Sequence, residues 1–247
     1  MRKKVKIEQS PLVEPDTVII KTRHKDRGVE FKTLKLFRDL AKAVSPPPVL
    51  TVSQWADRYR RLSPESAAEP GQWNTDRAPY QREIMDSVND PLVEHIVIMS
   101  SAQVGKTELI LNIVGYYIDY DPAPMLIVQP TLKPMAEDFS KDRLAPMIRD
   151  TPTLAGKVHD VKSRASGNTI LHKTFPGGHV TIAGANSASS LASRPVRIVL
   201  MDETDRYPAS AGTEGNQIKL AEKRTKAFWN KKKIKVSTHT IKGLRQI

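Results

Sequence analysis

The rhythm of apolar and polar positions changes near residue 95 and divides the chain into two regimes. Upstream, Phe31, Leu34, Phe37, Leu40, Ala41 and Val44 recur at three-to-four spacing, which predicts an amphipathic helix over residues 30–44. Pro46-Pro47-Pro48 ends that helix and makes a stiff linker. Residues 1–28 are polar and basic, with little periodicity beyond a short run at 17–20, and read as an arm. Ser53 is placed to N-cap a second short helix carrying Trp55 and Tyr59. A polar loop through Pro70-Gly71 then leads to Ala78-Pro79-Tyr80-Gln81 and a helix ending near Val88.

Downstream, short apolar runs alternate with helical periodicity. Strands are predicted at 96–99, 125–129, 197–201 and 234–237, and helices at 107–119, 134–149 and about 214–229. Residues 169–175 and 179–183 flank Pro176-Gly177-Gly178 and predict a hairpin. Strands alternating with helices argue for an α/β fold, a mainly parallel sheet wrapped by helices. The organisation expected is residues 1–48 as a basic arm and helix, then 49–247 as one domain.

Chemistry concentrates at two strand ends. The run ending in Ser101-Ala102-Gln103-Val104-Gly105-Lys106-Thr107 passes from a strand through small residues into a helix. That is the setting of a phosphate-binding loop, whose backbone N–H groups and helix dipole favour phosphate. Lys106 would reach the terminal phosphates and the Thr107 hydroxyl would hold Mg²⁺. The first glycine of the usual motif is replaced by Ser100. Four apolar residues then lead into Asp202-Glu203, at the kind of strand end where α/β sheets bind ligands. There Asp202 would position Mg²⁺ and Glu203 would polarise the attacking water. Ser237-Thr238 closes a further strand and is placed either to sense the terminal phosphate or to cap a turn.

Other positions carry weaker signals. Tyr80-Gln81 would meet an adenine edge or form a surface pair. Gln103 and Gln129 are candidates for contact with phosphate or water. Arg194 and Arg143 are candidates to neutralise the γ-phosphate, with Arg143 read chiefly as a surface charge.

Composition narrows the partner. Lys and Arg number 39 against 27 Asp and Glu, a net charge of +12 that points to a polyanion, nucleic acid first. Residues 223–245 hold nine of those cations, densest at Lys231-Lys232-Lys233, and read equally as a DNA-backbone contact or as a solvated segment. The absence of cysteine excludes disulfides, thiolate zinc sites and cysteine nucleophiles. The histidines show no metal-ligand spacing. No apolar run approaches the length of a membrane span, so no membrane partner is expected.

Several segments together resemble the large terminase subunits of tailed bacteriophages, lambda-type branch, over their N-terminal ATPase part. They are Leu50-Thr-Val-Ser-Gln-Trp-Ala-Asp-Arg-Tyr-Arg60, Pro79-Tyr-Gln-Arg-Glu-Ile-Met85, Ala102-Gln-Val-Gly-Lys-Thr107, Asp121-Pro-Ala-Pro124, Val128-Gln-Pro-Thr131, Arg143-Leu-Ala-Pro-Met147 and Met201-Asp-Glu-Thr-Asp205. The resemblance implies a P-loop NTPase with a RecA-like, additional-strand sheet, binding ATP and Mg²⁺ and pumping double-stranded DNA into a capsid. It implies a terminase small subunit and a portal or procapsid as partners, a ring of copies, and a place in the host cytoplasm and at the portal. It also implies an adenine-side role for Tyr80-Gln81 and a coupling role for Ser237-Thr238. Some terminases carry an arginine in the phosphate loop where this chain has Ala102, which leaves Arg194 as the preferred arginine. Such subunits continue into a nuclease, for which no acidic residue beyond Glu222 remains here, so an ATPase without nuclease activity is expected. The competing expectations are a helicase- or recombinase-like ATPase and a catalytically weak DNA- or capsid-binding adaptor.

Overall fold

A computed structural model describes residues 35–40, 49–158, 168–191, 194–208, 210 and 215–238. The chain divides into two compact units, residues 1–48 and 49–247. In the first, residues 35–40 are helical (α1) and present Leu36, Phe37 and Leu40 to solvent. The expected arm at 1–28, the rest of the 30–44 helix and the triple proline lie outside the described residues.

The second unit is built on six strands, β3 (His95–Ser100), β4 (Met125–Gln129), β5 (His172–Phe175), β6 (Gly178–Gly184), β7 (Ile198–Met201) and β8 (Lys232–Thr238). Their order across the sheet is β3-β8-β7-β4-β6-β5, parallel throughout except for the antiparallel β5–β6 hairpin at one edge. The apolar runs behave as parallel strands covered on both faces should: every residue of β4 and β7 is buried. The 169–175 run yields a strand only from His172, and its turn falls on Pro176-Gly177, with Gly177 at φ 85°. A smaller two-stranded sheet pairs β1 (Arg61–Leu62) with β2 (Gly71–Gln72).

One face of the large sheet packs under α2 (Val52–Tyr59), α3 (Tyr80–Asp86), α4 (Lys106–Asp119), α5 (Ala145–Asp150) and α6 (Pro152–Ala155). The other packs under α7 (Ala188–Leu191) and α8 (Gln217–Lys223), through Leu191, Ile218, Leu220 and Ala221. α4 is apolar almost all round because it is buried almost all round, the pattern of a helix central to its layer.

Three expectations need correction. The N-cap of α2 is Thr51, not Ser53: Thr51 Oγ1 accepts from the Gln54 N–H, and Gln54 Oε1 accepts from the Thr51 N–H. Ser53 is buried in the first turn, where its N–H donates to Asp86 Oδ1. The single helix expected over 134–149 is instead two wide-turned stretches, Leu132–Ala136 and Phe139–Leu144, followed by α5. Pro134 and Pro146 withhold N–H groups from the regular i→i−4 ladder. The helix expected near 214–229 stops at Lys223, and its chain tightens into three-residue turns, with the Arg224, Thr225 and Lys226 N–H groups each bonding three residues back.

α2 is held to α4 by an indole. Trp55 is fully buried, its Nε1 donates to Asp119 Oδ2 at 2.7 Å, and its ring lies over Gly115. A Cβ at Gly115 would stand 2.3 Å from Trp55 Cη2, so alanine cannot fit without moving the ring. Gly115→Ala is therefore expected to destabilise the domain by about 1–3 kcal/mol despite alanine's better helix propensity, seen as a lower urea midpoint with an unchanged m-value.

Candidate nucleotide site

The parallel strands end on one edge, and the candidate residues gather there. β3 runs into the phosphate loop, β7 into Asp202-Glu203, β8 into Ser237-Thr238 and β4 into Gln129. Register keeps these ends level: Met99 lies opposite Ser237, Ser100 opposite Thr238, and Met201 opposite Lys235.

The phosphate loop is shaped by two left-handed residues, Gln103 at φ 60° and Gly105 at φ 78°. Gly105 also caps α4, and a Cβ there would meet Gln81 Nε2 at 2.6 Å, so glycine serves both the backbone and a close neighbour. Ser100, by contrast, is the last strand residue and has no positive φ, so the backbone does not require the usual glycine there. Lys106 is buried, and its Nζ donates to the Ser101 carbonyl at 2.6 Å across the loop.

Tyr80 and Gln81 lie under the loop. The Tyr80 hydroxyl and Gln81 Nε2 both donate to the Val104 carbonyl at 3.0 Å. Gln81 is 2% exposed and its Oε1 is buried with no hydrogen-bond partner among the described residues, while Tyr80 is exposed. The pair thus braces the loop, a role that sequence alone did not suggest.

A second brace acts from α2. Arg60, 2% exposed, pairs with Glu108 in the first turn of α4 at 2.9 Å. Burial lowers the Arg60 pKa and the Glu108 carboxylate works against that. Nothing in the spacing of positions 60 and 108 announces this pair.

At the acidic end, Asp202 is 5% exposed and Gln129 Nε2 donates to its Oδ2 at 3.1 Å. Burial pushes the Asp202 carboxyl up to about 6, helped by the charge of Glu203 and opposed by the Gln129 hydrogen bond and Lys106. Glu203 adopts a left-handed backbone, φ 51° and ψ 47°, uncommon away from glycine and costing about 1 kcal/mol. The Thr238 hydroxyl donates to the Glu203 carboxylate at 3.3 Å, and Arg206 Nε approaches it at 3.6 Å. Ser237, buried, accepts from the Asp205 N–H at 3.1 Å. β8 therefore touches the acidic turn twice.

Ala102, Gln103, Gly105, Lys106, Thr107, Glu203 and Thr238 line one cleft of about 670 Å³, a volume in the range of small-ligand sites. Its opposite wall comes from residues 62–73, with Arg143 and Arg206 alongside. Arg143 also binds that wall directly, Nη1 to the Ser66 carbonyl at 2.9 Å.

Two groups of expected site residues fall elsewhere. Arg194 precedes β7, at the opposite end of the strands, with Nη1 3.4 Å from His172 Nε2; it is not among the residues lining the cleft. Among the described residues the arginines lining the cleft are Arg143 and Arg206. The lysine run is committed locally rather than offered to a polyanion. Lys231 and Lys233 pair with Glu94, and Lys232 is buried with its Nζ donating to the Asp90 and Val93 carbonyls. The cause is the start of β8 at Lys232, which turns that side chain inward.

The donor set suits a divalent cation held jointly with phosphates. Asp202 is a buried carboxylate whose charge is penalised by its surroundings, and Thr107 supplies a hydroxyl on the same edge. Among the described residues no group of three or more His, Cys, Asp or Glu is gathered for metal binding, and Mg²⁺ characteristically needs only one or two protein oxygens beside phosphate and water.

A phosphate loop on the edge strand, an acidic pair on β7 and an added strand, β8, between them define a RecA-like P-loop NTPase. More narrowly, the chain belongs to the phage terminase large subunit gpA family, through its ATPase domain, whose model matches residues 67–247. It is 32% identical over 209 residues to the terminase large subunit of Enterobacteria phage P21 and 30% identical over 202 residues to that of Escherichia phage lambda. These matches cover 84% and 81% of this chain but 32% and 31% of the relatives, so the chain spans about a third of their length. The large terminase of bacteriophage HK97 superposes with a TM-score of 0.58 at 16% identity, over 76% of this chain and 38% of that one, a likeness of fold.

The Asp202 environment makes a stability prediction. Its folded pKa is raised from 3.8 to about 6, so the stabilisation it gives is complete below pH 3.8 and is lost as pH rises through about 6. The loss amounts to about 3 kcal/mol. Asp202→Asn should therefore make the nucleotide-free protein more stable than the wild type above pH 7 by up to about that amount, with the difference vanishing toward pH 4. Urea denaturation in chelator across that range measures it.

Proposed function

We propose that this domain hydrolyses ATP as the motor part of a DNA-packaging terminase, driving double-stranded DNA into a capsid. The observation that carries the reading is the convergence of Lys106, Thr107, Glu203 and Thr238 on one cleft in a chain of the terminase family. ATP would sit with its phosphates against the loop, with Lys106 Nζ leaving the Ser101 carbonyl for the terminal phosphates. Thr107 and Asp202 would hold Mg²⁺, which when bound offsets the phosphate charge. Glu203 orients the attacking water and accepts its proton. Thr238 and Arg206 contact that carboxylate, which has acceptor sites left for the water. Because Thr238 ends β8, a change at Glu203 would be felt along a strand pairing both β3 and β7.

Among the described residues Arg143 and Arg206 are the arginines that line the cleft, with Arg143 taken to face the phosphates, and Arg194, exposed beside His172, is left to act toward a neighbouring copy. The wider partners follow from the same reading: a terminase small subunit, the portal of a procapsid, a ring of copies around the DNA, and work in the host cytoplasm and at the portal. A helicase-like ATPase shares the fold, but membership of the terminase family favours packaging. Among the described residues no helix is long and apolar enough to cross a membrane.

Steady-state ATP turnover with and without duplex DNA tests the assignment. Lys106→Ala and Glu203→Gln should each lower it by about 10²-fold or more, and turnover surviving both refutes the site. Arg143→Ala should cost about 10³-fold, while Arg194→Ala leaves the dilute chain within about twofold; the reverse pattern returns the role to Arg194.

A further inference from the structure

From Gly215 to Thr238 the chain carries one acid, Glu222, and that carboxylate is occupied by Lys235 at 2.9 Å. Apart from the half-buried Arg224, the remaining cations of this stretch divide by what they touch. Lys231, Lys232 and Lys233 are held by Glu94 and by backbone carbonyls. Lys219, Lys223 and Lys226 are exposed, and among the described residues none of them forms an ion pair. Lys219 and Lys223 stand one turn apart on α8, on the side away from Ile218, Leu220 and Ala221, which pack on the sheet. Lys226 follows within the tightened turns, and three residues later Trp229 is 88% exposed.

A solvated helix accounts for lysines. It does not account for an indole left in water beside them, since burying such a side chain is strongly favourable and tryptophan marks recognition surfaces. We propose that Lys219, Lys223, Lys226 and Trp229 form a contact surface for the backbone of double-stranded DNA. The three ammonium groups meet phosphates, and the indole packs on the sugar edge between them. Charge complementarity selects this occupant: the four residues carry three positive charges and no negative one, within a chain of net charge +12. The inference rests on the packaging reading only in taking duplex DNA as the partner. It moves the contact away from Lys231–Lys233, and it places DNA on the helix that leads directly into β8, the strand whose far end holds Glu203.

The test uses the 247-residue chain and a blunt 30-base-pair duplex followed by fluorescence anisotropy between 50 and 200 mM salt. The triple variant Lys219→Gln/Lys223→Gln/Lys226→Gln should bind at least tenfold more weakly at 100 mM salt. Its slope of log K against log salt should be shallower by about 2.7, three phosphates at about 0.9 each. Its DNA-independent ATP turnover should be unchanged, which shows that it folds. Trp55 and Trp73 are buried, so acrylamide quenching reports on Trp229, and DNA should reduce it. A triple variant with wild-type affinity and slope overturns the surface while leaving DNA as partner. Wild-type protein that binds no duplex but still hydrolyses ATP refutes the DNA reading itself. Loss of concentration-dependent self-association in the triple variant, with DNA binding intact, assigns the surface to a second copy and also overturns the proposal.

Discussion

Insertion of β8 between β3 and β7 is the constraint on which the site depends. Without that strand the phosphate loop and the acidic pair would end adjacent strands, with nothing between them to report on either. With it, parallel register places Ser237 and Thr238 level with the last residues of β3, while the other edge of the same strand pairs β7. The Thr238 hydroxyl then falls within reach of Glu203, and Ser237 receives the Asp205 N–H. A parallel sheet is unforgiving in this respect, since a one-residue slip would turn Ser237 and Thr238 to opposite faces. Ile234 and Val236 prevent the slip by filling the core on one side of β8.

The loop is held from below as firmly as the strands hold it from the side. Val104 offers its carbonyl to Tyr80 and Gln81 together, and Gly105 has no side chain with which to push Gln81 away. Arg60 fixes the first turn of α4 through Glu108. A buried ion pair of this kind contributes little net stability, because desolvation offsets most of the attraction, but losing one partner is costly. Its effect is on position: α2, β1 and the loop that walls the cleft are tied to the helix carrying Thr107. Two left-handed residues, Gln103 and Glu203, line this cleft. Backbone strain of that kind persists only where surrounding contacts over-determine the conformation.

Sequence reasoning reached the framework because the framework is periodic. The apolar runs at 125–129 and 197–201 read as buried strands of a mainly parallel sheet, and the glycine and lysine after the 96–99 run announced an anion-binding helix start. It failed where contacts join distant positions or where propensity yields to them. Ser53 looked like a cap because it precedes Trp55, yet Thr51 closes the capping box, a signal legible in Thr51 and Gln54 at the right spacing. The helix expected over 134–149 ignored two prolines. Arg194 seemed near the acidic strand because it is near in sequence, but a strand carries its two ends apart by roughly 3.3 Å per residue. Arg194 and Asp202 therefore lie at opposite edges of the sheet. Arg143, read chiefly as a surface charge on the expected 134–149 helix, instead lines the cleft.

The lysine run illustrates the same limit in electrostatics. Charge density along the chain is highest at residues 231–233, and density was the only criterion available from sequence. Strand formation changes the criterion, because alternate side chains of a strand go to opposite faces and one of three consecutive lysines must turn inward. Lys232 does so, and two backbone carbonyls satisfy it; its flanking neighbours then share Glu94. A helix treats the same residue type differently. Spacing of four keeps Lys219 and Lys223 on the side that the core does not need, and the turn after the helix leaves Lys226 exposed as well. The positive charge free to act on a partner is thus set by which secondary structure the lysines occupy, more than by how many stand together.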